Sequence, residues 1–347
     1  MMRIAISGVS GYTGLEILRI LLNHPKVEIS ALISETYAGR SAKGVFPYLS
    51  KLVDLKFESL SDVALEDRCD LIFCALPHGV SMSYIPPILK SGVKVIDLSG
   101  DFRLKDSDSY ESWYKIKHTA KELLTEAVYG LPEINRHKIK DATLVANPGC
   151  YPTSIILPLY PLLESGLINS SGIISDSKSA VSGAGRKAES SYMYMECSED
   201  IRAYSIASKH RHTPEIEEVL SCFSKDKVKV TFTPHLVPMK RGILSTIYAE
   251  LSSDVSIADI EACYADKYKD ERFVRLLGRG NLPRTANVAG TNFCDIGFEI
   301  DERSNRLIIV SAIDNLVKGA AGQAVQNMNI MAGFPEETGM TSIGFLP

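Results

Sequence analysis

The first 33 residues contain a short apolar run, a glycine-rich turn and an amphipathic stretch in close succession. Residues 3–7 (RIAIS) are predicted to form a strand that stops at Gly8, where G-V-S-G-Y-T-G begins. The following LEILRILLNH has its apolar residues at helical spacing and is predicted to end at Pro25, before a second strand at 27–33. Strand, glycine turn, helix and strand in this order predict the βαβ start of a doubly wound parallel sheet.

The same alternation continues to about residue 150, where the pattern changes. Strands are predicted at 70–77 and 94–100, with a helix at 81–92 between them. Beyond residue 150 the alternation of apolar and polar residues predicts strands at 172–183, 228–238, 243–251, 292–300 and 306–315, with helices at 214–223 and 319–333. The expected α/β fold has a doubly wound parallel domain in residues 1–149, completed by a C-terminal helix in 316–347. A second α+β domain with a mixed or antiparallel sheet is expected in residues 150–315.

Charge balance and cysteine usage exclude several classes of protein. The 347 residues carry 38 basic and 42 acidic side chains, a formal charge of −4, which argues against nucleic acid or a membrane surface as the main partner. The seven cysteines include no C-x-x-C pair, which argues against a disulfide framework and structural zinc. The longest apolar stretch, 153–163, is too short for a membrane span and contains prolines. A cytoplasmic enzyme without a metal is therefore expected.

The glycine turn lies where the pyrophosphate of a dinucleotide binds in such a fold. Gly8, Gly11 and Gly14 would let the backbone approach the phosphates, and the following helix offers free N–H groups at its start. The spacing departs from the usual G-x-G-x-x-G, so a tight turn that needs glycine for positive φ is the alternative. The position between a strand and a helix favours a nucleotide.

The end of the second predicted strand bears on the phosphate state of that nucleotide. NAD-binding domains usually place Asp or Glu there to hold the ribose 2′-hydroxyl. This chain has Ser34, followed by Glu35 and, shortly after, Arg40. A hydroxyl and a guanidinium suit a 2′-phosphate, which favours NADP. Glu35 in the NAD role is the alternative.

The segment A-N-P-G-C-Y-P-T (146–153) predicts a turn that leads into a helix. Asn-Pro-Gly is turn chemistry, and Pro152 suits the first turn of a helix. Cys150 is thereby placed at or just before a helix N-terminus, where the helix dipole and free N–H groups stabilise a thiolate. The same N–H groups would hold an oxyanion on an acyl group bound there. The alternative is a small buried hydrophobic residue, which is what most free cysteines are.

A thiolate nucleophile needs an acid/base partner, and S-K-H-R-H-T-P-E-I (208–216) offers two histidines. In an extended segment His210 and His212 would share one face, so that both rings enter one site. Thr213 is predicted to cap the following helix, with Pro214 at its first position. The alternative is a basic run that only contacts phosphate.

Motifs along the whole chain resemble those of the N-acetyl-gamma-glutamyl-phosphate reductase family. They run in order from residue 3 to about residue 332 as G-V-S-G-Y-T-G, A-L-P-H-G, D-L-S-G-D-F-R, Y-G-L-P-E, N-P-G-C-Y-P-T, S-G-A-G-R, H-R-H-T-P-E-I, P-H-L-V-P-M-K-R-G and N-L-V-K-G-A-A-G-Q-A-V-Q-N. The resemblance implies an NADP-binding Rossmann domain followed by an α+β catalytic and dimerisation domain, related to aspartate-semialdehyde dehydrogenase. It also implies a homodimer or a homotetramer.

The resemblance further implies a reaction and its catalytic residues. Cys150 would attack the acyl phosphate of N-acetylglutamate and form a thioester, which NADPH reduces to the semialdehyde in arginine biosynthesis. His210 is preferred as the acid/base over His212, with His212 and Glu215 nearer the substrate. The alternatives are a sister reductase acting on aspartyl phosphate or N-acetyl-aminoadipyl phosphate, a Cys–His hydrolase or acyltransferase, and an NADP sensor without catalysis.

Two arginines are candidates for binding the substrate anions. Arg103 lies in D-F-R and Arg186 in S-G-A-G-R, and a surface salt bridge is nearly as good an interpretation of Arg186. The residues expected to line the cofactor are Gly8, Ser10, Gly11, Tyr12, Thr13, Gly14, Ser34, Arg40, Leu76, Pro77, His78, Ser182, Gly183 and Asn315.

Overall fold

The computed structural model describes residues 1–186 and 189–345, which form two compact units. The first unit contains Met1–Pro148 and Ala320–Thr341, and the second contains Gly149–Gly319 together with the residues from Ser342 onward. The first unit thus ends one residue before the predicted boundary, and the chain returns to it at residue 320 rather than 316. Among the described residues, no helix has the length and apolar character that crossing a membrane requires.

The first unit is built on a parallel sheet of seven strands. They are β1 (Met2–Ser7), β2 (Val27–Ile33), β3 (Phe57–Glu58), β4 (Leu71–Cys74), β5 (Lys94–Asp97), β6 (Val128–Tyr129) and β7 (Leu144–Ala146), in the spatial order 3-2-1-4-5-7-6. The predicted doubly wound sheet is confirmed. The order reverses between β1 and β4, and ligands of such sheets bind in the crevice at the carboxyl ends of the strands there.

Helices connect these strands and carry the chain across the sheet. They are α1 (Tyr12–Leu21), α2 (Ala42–Val45), α3 (Leu65–Arg68), α4 (Ser81–Lys90), α5 (Ser107–Tyr114), α6 (Leu123–Glu126) and α7 (Pro132–Asp141), with 3₁₀ turns at Pro47–Leu49 and Leu60–Asp62. The first helix was predicted to reach Pro25 but ends at Leu21. It ends early because the His24 N–H turns back to the Leu21 carbonyl and the His24 ring binds Asn329 Oδ1 at 2.9 Å.

The second unit contains a mixed sheet, as the sequence predicts. Its strands are β8 (Ile173–Ala180), β9 (Arg202–Ala203), β10 (Val230–Val237), β11 (Ile243–Glu250), β12 (Val274–Leu276), β13 (Cys294–Asp301) and β14 (Arg306–Ile313), in the order 12-13-14-11-8-10-9. The pairs β8–β10 and β12–β13 are parallel and the others antiparallel. The two short strands, β9 and β12, were not predicted.

Within 149–186, 189–319 and 342–345, the second unit contains five helices. They are α8 (Cys150–Glu164), α9 (Tyr194–Cys197), α10 (Thr213–Ser221), α11 (Ile257–Tyr268) and α12 (Thr285–Val288), with 3₁₀ turns at Val181–Ala184 and Ser190–Tyr192. The chain then passes through a π-helical turn, Val317–Ala321, into α13 (Gly322–Met331). Helix α13 lies in the first unit and packs against α7 and α1 there.

Helix α8 contains two internal prolines, and neighbouring elements replace the hydrogen bonds that these prolines remove. Pro158 has no N–H for the carbonyl of Ser154, and the hydroxyl of Ser311 in β14 donates to that carbonyl at 2.5 Å. Pro161 likewise has no N–H for the carbonyl of residue 157, and the hydroxyl of Tyr268 in α11 donates to that carbonyl. The helix is therefore tied to β14 and α11 through its own backbone.

The two faces of the second sheet differ in burial. Buried serines join α8 to the sheet, with Ser154 Oγ 2.8 Å from Ser245 Oγ and Ser245 Oγ 2.7 Å from Ser177 Oγ. Residues of the opposite face are only half-buried in β8, β11 and β14. They are Ile174, Asp176, Lys178, Leu244, Thr246, Tyr248, Ile308 and Val310.

Candidate active site

Cys150 is the first residue of α8, as the sequence predicts. Gly149 precedes it as the N-cap in an extended conformation (φ −69°, ψ 156°), and its hydrogen side chain supplies no capping acceptor. The thiol is half-buried. A half-buried thiol at a helix N-terminus lies in the positive end of the helix dipole, where the thiolate is favoured.

Glu215 holds the turn that precedes the thiol. It lies in the first turn of α10, is 1% exposed, and its Oε1 accepts a hydrogen bond from the Gly149 N–H at 2.8 Å. The carboxylate therefore joins the start of α10 to the start of α8. The sequence predicts a place near the substrate for Glu215, but spacing alone does not reveal this bond.

The start of α10 differs from the prediction. The structure makes His212 the N-cap, with Thr213 first and Pro214 second in the helix, because the Ile216 N–H donates to the His212 carbonyl at 3.0 Å. The side chain of Thr213 turns inward, and its Oγ1 has no hydrogen-bond partner among the described residues. The predicted cap at Thr213 is therefore wrong by one residue.

His210 lies in an aromatic enclosure within the second unit. Its ring centroid is 5.4 Å from that of Tyr151, 5.5 Å from Tyr204, 5.3 Å from Phe232 and 4.8 Å from His212. Burial, with a smaller contribution from the Arg211 charge, lowers the pKa of His210 to about 4. Residues 205–212 form turns rather than the extended segment considered above, yet the two imidazoles still lie together.

One nitrogen of the His210 ring is already engaged. Its Nδ1 accepts the backbone N–H of His212 at 3.1 Å, so the neutral ring carries its proton on Nε2. Because the pKa is about 4, this neutral form prevails at physiological pH. His210 therefore offers a hydrogen-bond donor rather than a positive charge.

Sequence reasoning missed two tyrosines beside this histidine. The hydroxyls of Tyr151 and Tyr204 lie 3.0 Å apart, and Tyr151 donates to the His235 carbonyl at 3.3 Å. Burial is the first cause that raises the pKa of both tyrosines, and the nearby charge of Cys150 raises it further. Tyr151 follows Cys150 directly in the N-P-G-C-Y-P-T motif, and this adjacency was the available indication.

Gly319 lies against Cys150 from the π-helical turn. A methyl group at Gly319 would lie 2.8 Å from Cys150 Cβ and 3.2 Å from its Cα. Such contacts are closer than real side chains allow, so one backbone would have to move. The glycine in V-K-G-A-A-G was not singled out from the sequence.

We expect Gly319→Ala to lower kcat by about 10- to 100-fold, because a displacement near 1 Å is enough to spoil an attacking geometry. The melting temperature and the Kd of NADPH serve as controls, since the substitution lies beside the thiol. Unchanged kcat in a folded variant would show that Cys150 tolerates the shift. The rate of thiol alkylation by iodoacetamide measures the same displacement without substrate.

Four more predicted residues of the second unit, Ser182, Gly183, Arg186 and Asn315, lie in or beside the loop that follows β8. Asn315 is buried; its Oδ1 accepts the Gly242 N–H at 2.8 Å and its Nδ2 donates to Ser182 Oγ at 2.9 Å. Gly183 follows and is exposed, as is Arg186. Asn315 thus fixes the loop that carries Ser182.

In the first unit, the three glycines of the turn have different reasons to be glycine. Gly8 has φ +76°, and a side chain there would clash with the carbonyl of Ala75. A methyl group at Gly14 would lie 2.5 Å from the Gly8 carbonyl oxygen. Gly11, the N-cap of α1, would make only an ordinary 3.5 Å contact. The fold itself requires Gly8 and Gly14, whereas packing does not require Gly11. The binding of a phosphate at the start of α1 stays a prediction.

The residues that flank this turn suit NADP. Ser34 Oγ lies 3.4 Å from Ser10 Oγ. The Glu35 carboxylate accepts hydrogen bonds from Leu60 N–H at 3.0 Å and Ser59 Oγ at 2.7 Å, which lower its pKa. Glu35 is therefore occupied within the protein. Arg40 is exposed, with its guanidinium 5.5 Å from the Tyr37 ring centroid. Tyr12 is exposed and Thr13 half-buried at the start of α1.

The loop after β4 and the loop after β5 carry the remaining predicted residues. Leu76 is half-buried and Pro77 is exposed, and His78 Nδ1 accepts the Gly100 N–H at 2.8 Å. The guanidinium of Arg103 is 6% exposed and donates to the carbonyls of residues 147 and 98, at 2.8 and 2.9 Å. Arg103 thereby braces the first unit, and its predicted contact with substrate stays a prediction.

Comparison with known proteins places both units in one superfamily. Residues 3–142 match the family model described as semialdehyde dehydrogenase, NAD binding domain, and residues 150–315 match semialdehyde dehydrogenase, dimerisation domain. The N-acetyl-gamma-glutamyl-phosphate reductases of Geotalea daltonii and Geobacter metallireducens are 53% and 54% identical to this chain, over the full length of both chains in each case.

Solved structures show the same fold at low identity. Aspartate semialdehyde dehydrogenase II of Vibrio cholerae, complexed with ASA, aligns with a TM-score of 0.74 and 17% identity, covering 96% of this chain and 98% of that one. The aspartate semialdehyde dehydrogenase of Candida albicans, solved with NADP, aligns with a TM-score of 0.72 and 17% identity over the same shares.

Proposed function

Because this chain belongs to the N-acetyl-gamma-glutamyl-phosphate reductase family, we propose that it reduces N-acetyl-glutamyl 5-phosphate to N-acetyl-glutamate 5-semialdehyde with NADPH. Phosphate is released, and the reaction belongs to arginine biosynthesis. The structural observation that carries the proposal is Cys150 at the first residue of α8. The location of the protein in the cytoplasm stays a prediction.

The first unit offers the features that NADPH needs. The start of α1 behind Gly11 would hold the pyrophosphate, and Ser34 with Arg40 would hold the 2′-phosphate. His78 is proposed to line the nicotinamide end. NADPH, when bound, supplies the hydride that reduces the thioester.

Cys150 is proposed to attack the acyl carbon, so that a C–S bond forms while the C–O bond to phosphate breaks. The backbone N–H groups at the start of α8 stabilise the thiolate beforehand and the oxyanion during attack. Glu215 fixes the Gly149 N–H and thereby the direction of the turn. After reduction the C–S bond breaks again, which releases the aldehyde and restores the thiolate.

His210 is proposed to act through its Nε2–H. Since Nδ1 accepts the His212 N–H and the pKa is about 4, the ring donates a hydrogen bond while staying neutral. A neutral imidazole in this form stabilises a developing oxyanion on the acyl group without transferring its proton. The sequence analysis expects His210 to act as an acid/base. In this proposal His210 only donates a hydrogen bond and keeps its proton. His212, which lies beside His210, is proposed to contact the substrate.

The reverse reaction tests the proposal. N-acetyl-glutamate semialdehyde, NADP and inorganic phosphate should give NADPH absorbance at 340 nm only when all three are present. Turnover with aspartate semialdehyde or the aminoadipate analogue instead would keep the chemistry and change the substrate. Absence of turnover with all three aldehydes would contradict a reductase and favour the hydrolase or sensor interpretation.

Arg40 provides a test of cofactor choice. We expect Arg40→Ala to raise the Kd of NADPH by about tenfold or more and to leave that of NADH nearly unchanged, because only NADPH carries the 2′-phosphate. Fluorescence titration measures both constants. Lys43→Ala, which removes an exposed cation paired with Asp54 at 2.8 Å, is the control. Equal weakening of both cofactors by Arg40→Ala would contradict the assignment.

We also propose that two copies associate through the half-buried face of the second sheet. The residues of that face are apolar and polar in mixture and stay partly exposed in the single chain, so a second copy could cover them. Thr246 lies in its middle, paired with Asp176 on one side and Val310 on the other. Whether dimers pair further into tetramers would follow from the same measurement of mass.

Thr246→Arg is expected to convert the oligomer to monomers, because an isologous interface would bring two copies of the new charge together. Light scattering after size exclusion measures the mass. Ser253→Arg, at an exposed turn, is the control and should keep the wild-type mass. An unchanged mass for a folded Thr246→Arg variant would place the interface elsewhere.

A further inference from the structure

The D-L-S-G-D-F-R segment (97–103), which begins at the last residue of β5, contains two carboxylates with no role in the proposed reaction. Asp97 and Asp101 are both 0% exposed, in the crevice half of the parallel sheet. Burying a carboxylate is costly unless hydrogen bonds compensate it. The hydrogen-bond partners of Asp101 therefore indicate its function.

Asp101 receives its hydrogen bonds from the loop after β4 and from α5. The Gly79 N–H donates to its two oxygens at 2.8 and 3.1 Å, and the Met82 N–H donates at 3.2 Å. The hydroxyl of Tyr110 donates at 2.7 Å. Two of the three donors are backbone groups at the start of α4, where the helix dipole also favours a negative charge. The carboxylate thus fixes where the loop 76–79 ends.

The loop 76–79 also accepts a hydrogen bond from the segment that carries Asp101. His78 Nδ1 accepts the N–H of Gly100, the residue before Asp101, at 2.8 Å. We call these four residues, His78, Gly79, Gly100 and Asp101, the clasp. Because His78 accepts at Nδ1, its neutral ring carries the proton on Nε2. The clasp therefore sets both the position and the tautomer of His78.

The clasp joins the strand ends that surround the cofactor crevice. Ala75, where the loop begins, packs directly against Gly8 of the glycine turn. On the other side Arg103 ties the loop after β5 to the end of β7 through the carbonyl of Asn147. The carboxyl ends of β1, β4, β5 and β7 are thereby connected, and in such sheets the cofactor lies along them.

We propose that Asp101 is a positioning residue for the nicotinamide cofactor, which holds the loop Leu76–Gly79 in the conformation that binds NADPH. This inference rests on the proposed function. Without the carboxylate, the Gly79 and Met82 N–H groups and the Tyr110 hydroxyl would lose a common acceptor. The loop and the His78 ring would then sample other positions, and NADPH would bind more weakly. The acyl substrate, which reacts at Cys150, would be affected much less.

Two variants test this, with direct NADPH titration on the free enzyme as the first readout. Asp101→Asn keeps one acceptor oxygen but turns an amide toward N–H donors, so we expect the Kd of NADPH to rise about tenfold. Tyr110→Phe removes the hydroxyl that donates to the Asp101 carboxylate and should raise the Kd of NADPH about threefold. In the reverse reaction KM for NADP should rise in the same proportion, whereas kcat and KM for the semialdehyde should change less than about twofold.

Tyr264→Phe is the matched control, because Tyr264 is equally buried and its hydroxyl donates to the Pro158 carbonyl of the second unit. It should lower the melting temperature about as much as Tyr110→Phe and leave the Kd of NADPH unchanged. An unchanged Kd of NADPH in both Asp101→Asn and Tyr110→Phe would overturn the proposal and would leave the proposed function intact. If Asp101→Asn does not fold, Tyr110→Phe against Tyr264→Phe decides. Wild-type protein that binds no NADPH would overturn the proposed function and this inference together.

Discussion

Cys150→Ser is expected to abolish turnover, by about 10⁴-fold or more, while the Kd of NADPH stays within about twofold of the wild-type value. The hydroxyl has nearly the size of the thiol, so the helix start and its bond to Glu215 are expected to persist. The N-terminus of α8 stabilises a thiolate, but a serine hydroxyl remains protonated at neutral pH and attacks poorly. The phosphate-dependent reverse reaction and an NADPH titration measure the two quantities.

Cys222→Ser is the control, because Cys222 is an exposed free cysteine at the end of α10. It should keep full activity. Residual turnover above a tenth of wild type in Cys150→Ser would contradict the role of nucleophile. A complementary measurement is the pH dependence of alkylation: Cys150 should react at lower pH than Cys222, since only Cys150 lies at a helix N-terminus.

His210→Asn is expected to lower kcat by about 10²- to 10³-fold, because the oxyanion loses a fixed donor. The pKa of about 4 lies below the ordinary 6.5, so His210 stays neutral from alkaline pH down to about pH 5. The titration of His210 should therefore cause no change of kcat between pH 6 and 8. His137→Asn, an exposed histidine of α7, is the control.

The pH profile separates two roles for this residue. A kcat that falls above pH 6–7 in wild type, and does so no longer in His210→Asn, would show an imidazolium acid and contradict the neutral donor. The same pKa shift makes the free energy of unfolding depend on pH. Between pH 6.5 and 4 the imidazole of residue 210 takes up a proton in the unfolded chain but stays neutral in the folded protein. Wild type should therefore lose more unfolding free energy than His210→Asn as the pH falls through this range, as urea titrations would measure.

Much of the fold could be predicted because its determinants are local. The glycine turn, the strands β1, β2, β4 and β5 and the N-P-G-C turn each depend on neighbouring residues, and the structure has them where the pattern predicts them. The short strands β3, β6 and β7 were not predicted. Helix α11 was missed although it begins with a full capping box, in which Ser256 and Asp259 bond each other's backbone. That indication was present in the sequence.

The details of the candidate site depend on residues that are far apart in sequence. Glu215 reaches Gly149, 66 residues earlier, and Gly319 meets Cys150 from near the other end of the second unit. No spacing rule connects such pairs, because the sheet and the helix packing bring them together. The enclosure of His210 by aromatic rings is of the same kind, and it is what lowers the pKa.

The prolines of α8 have a consequence for the order of events during synthesis. An isolated copy of this helix lacks two of its own hydrogen bonds, and the replacements come from Tyr268 and Ser311. A nascent chain that ends before residue 268 therefore carries α8 without either replacement bond. We expect the helix that carries Cys150 to reach its full stability only after Ser311 has been made.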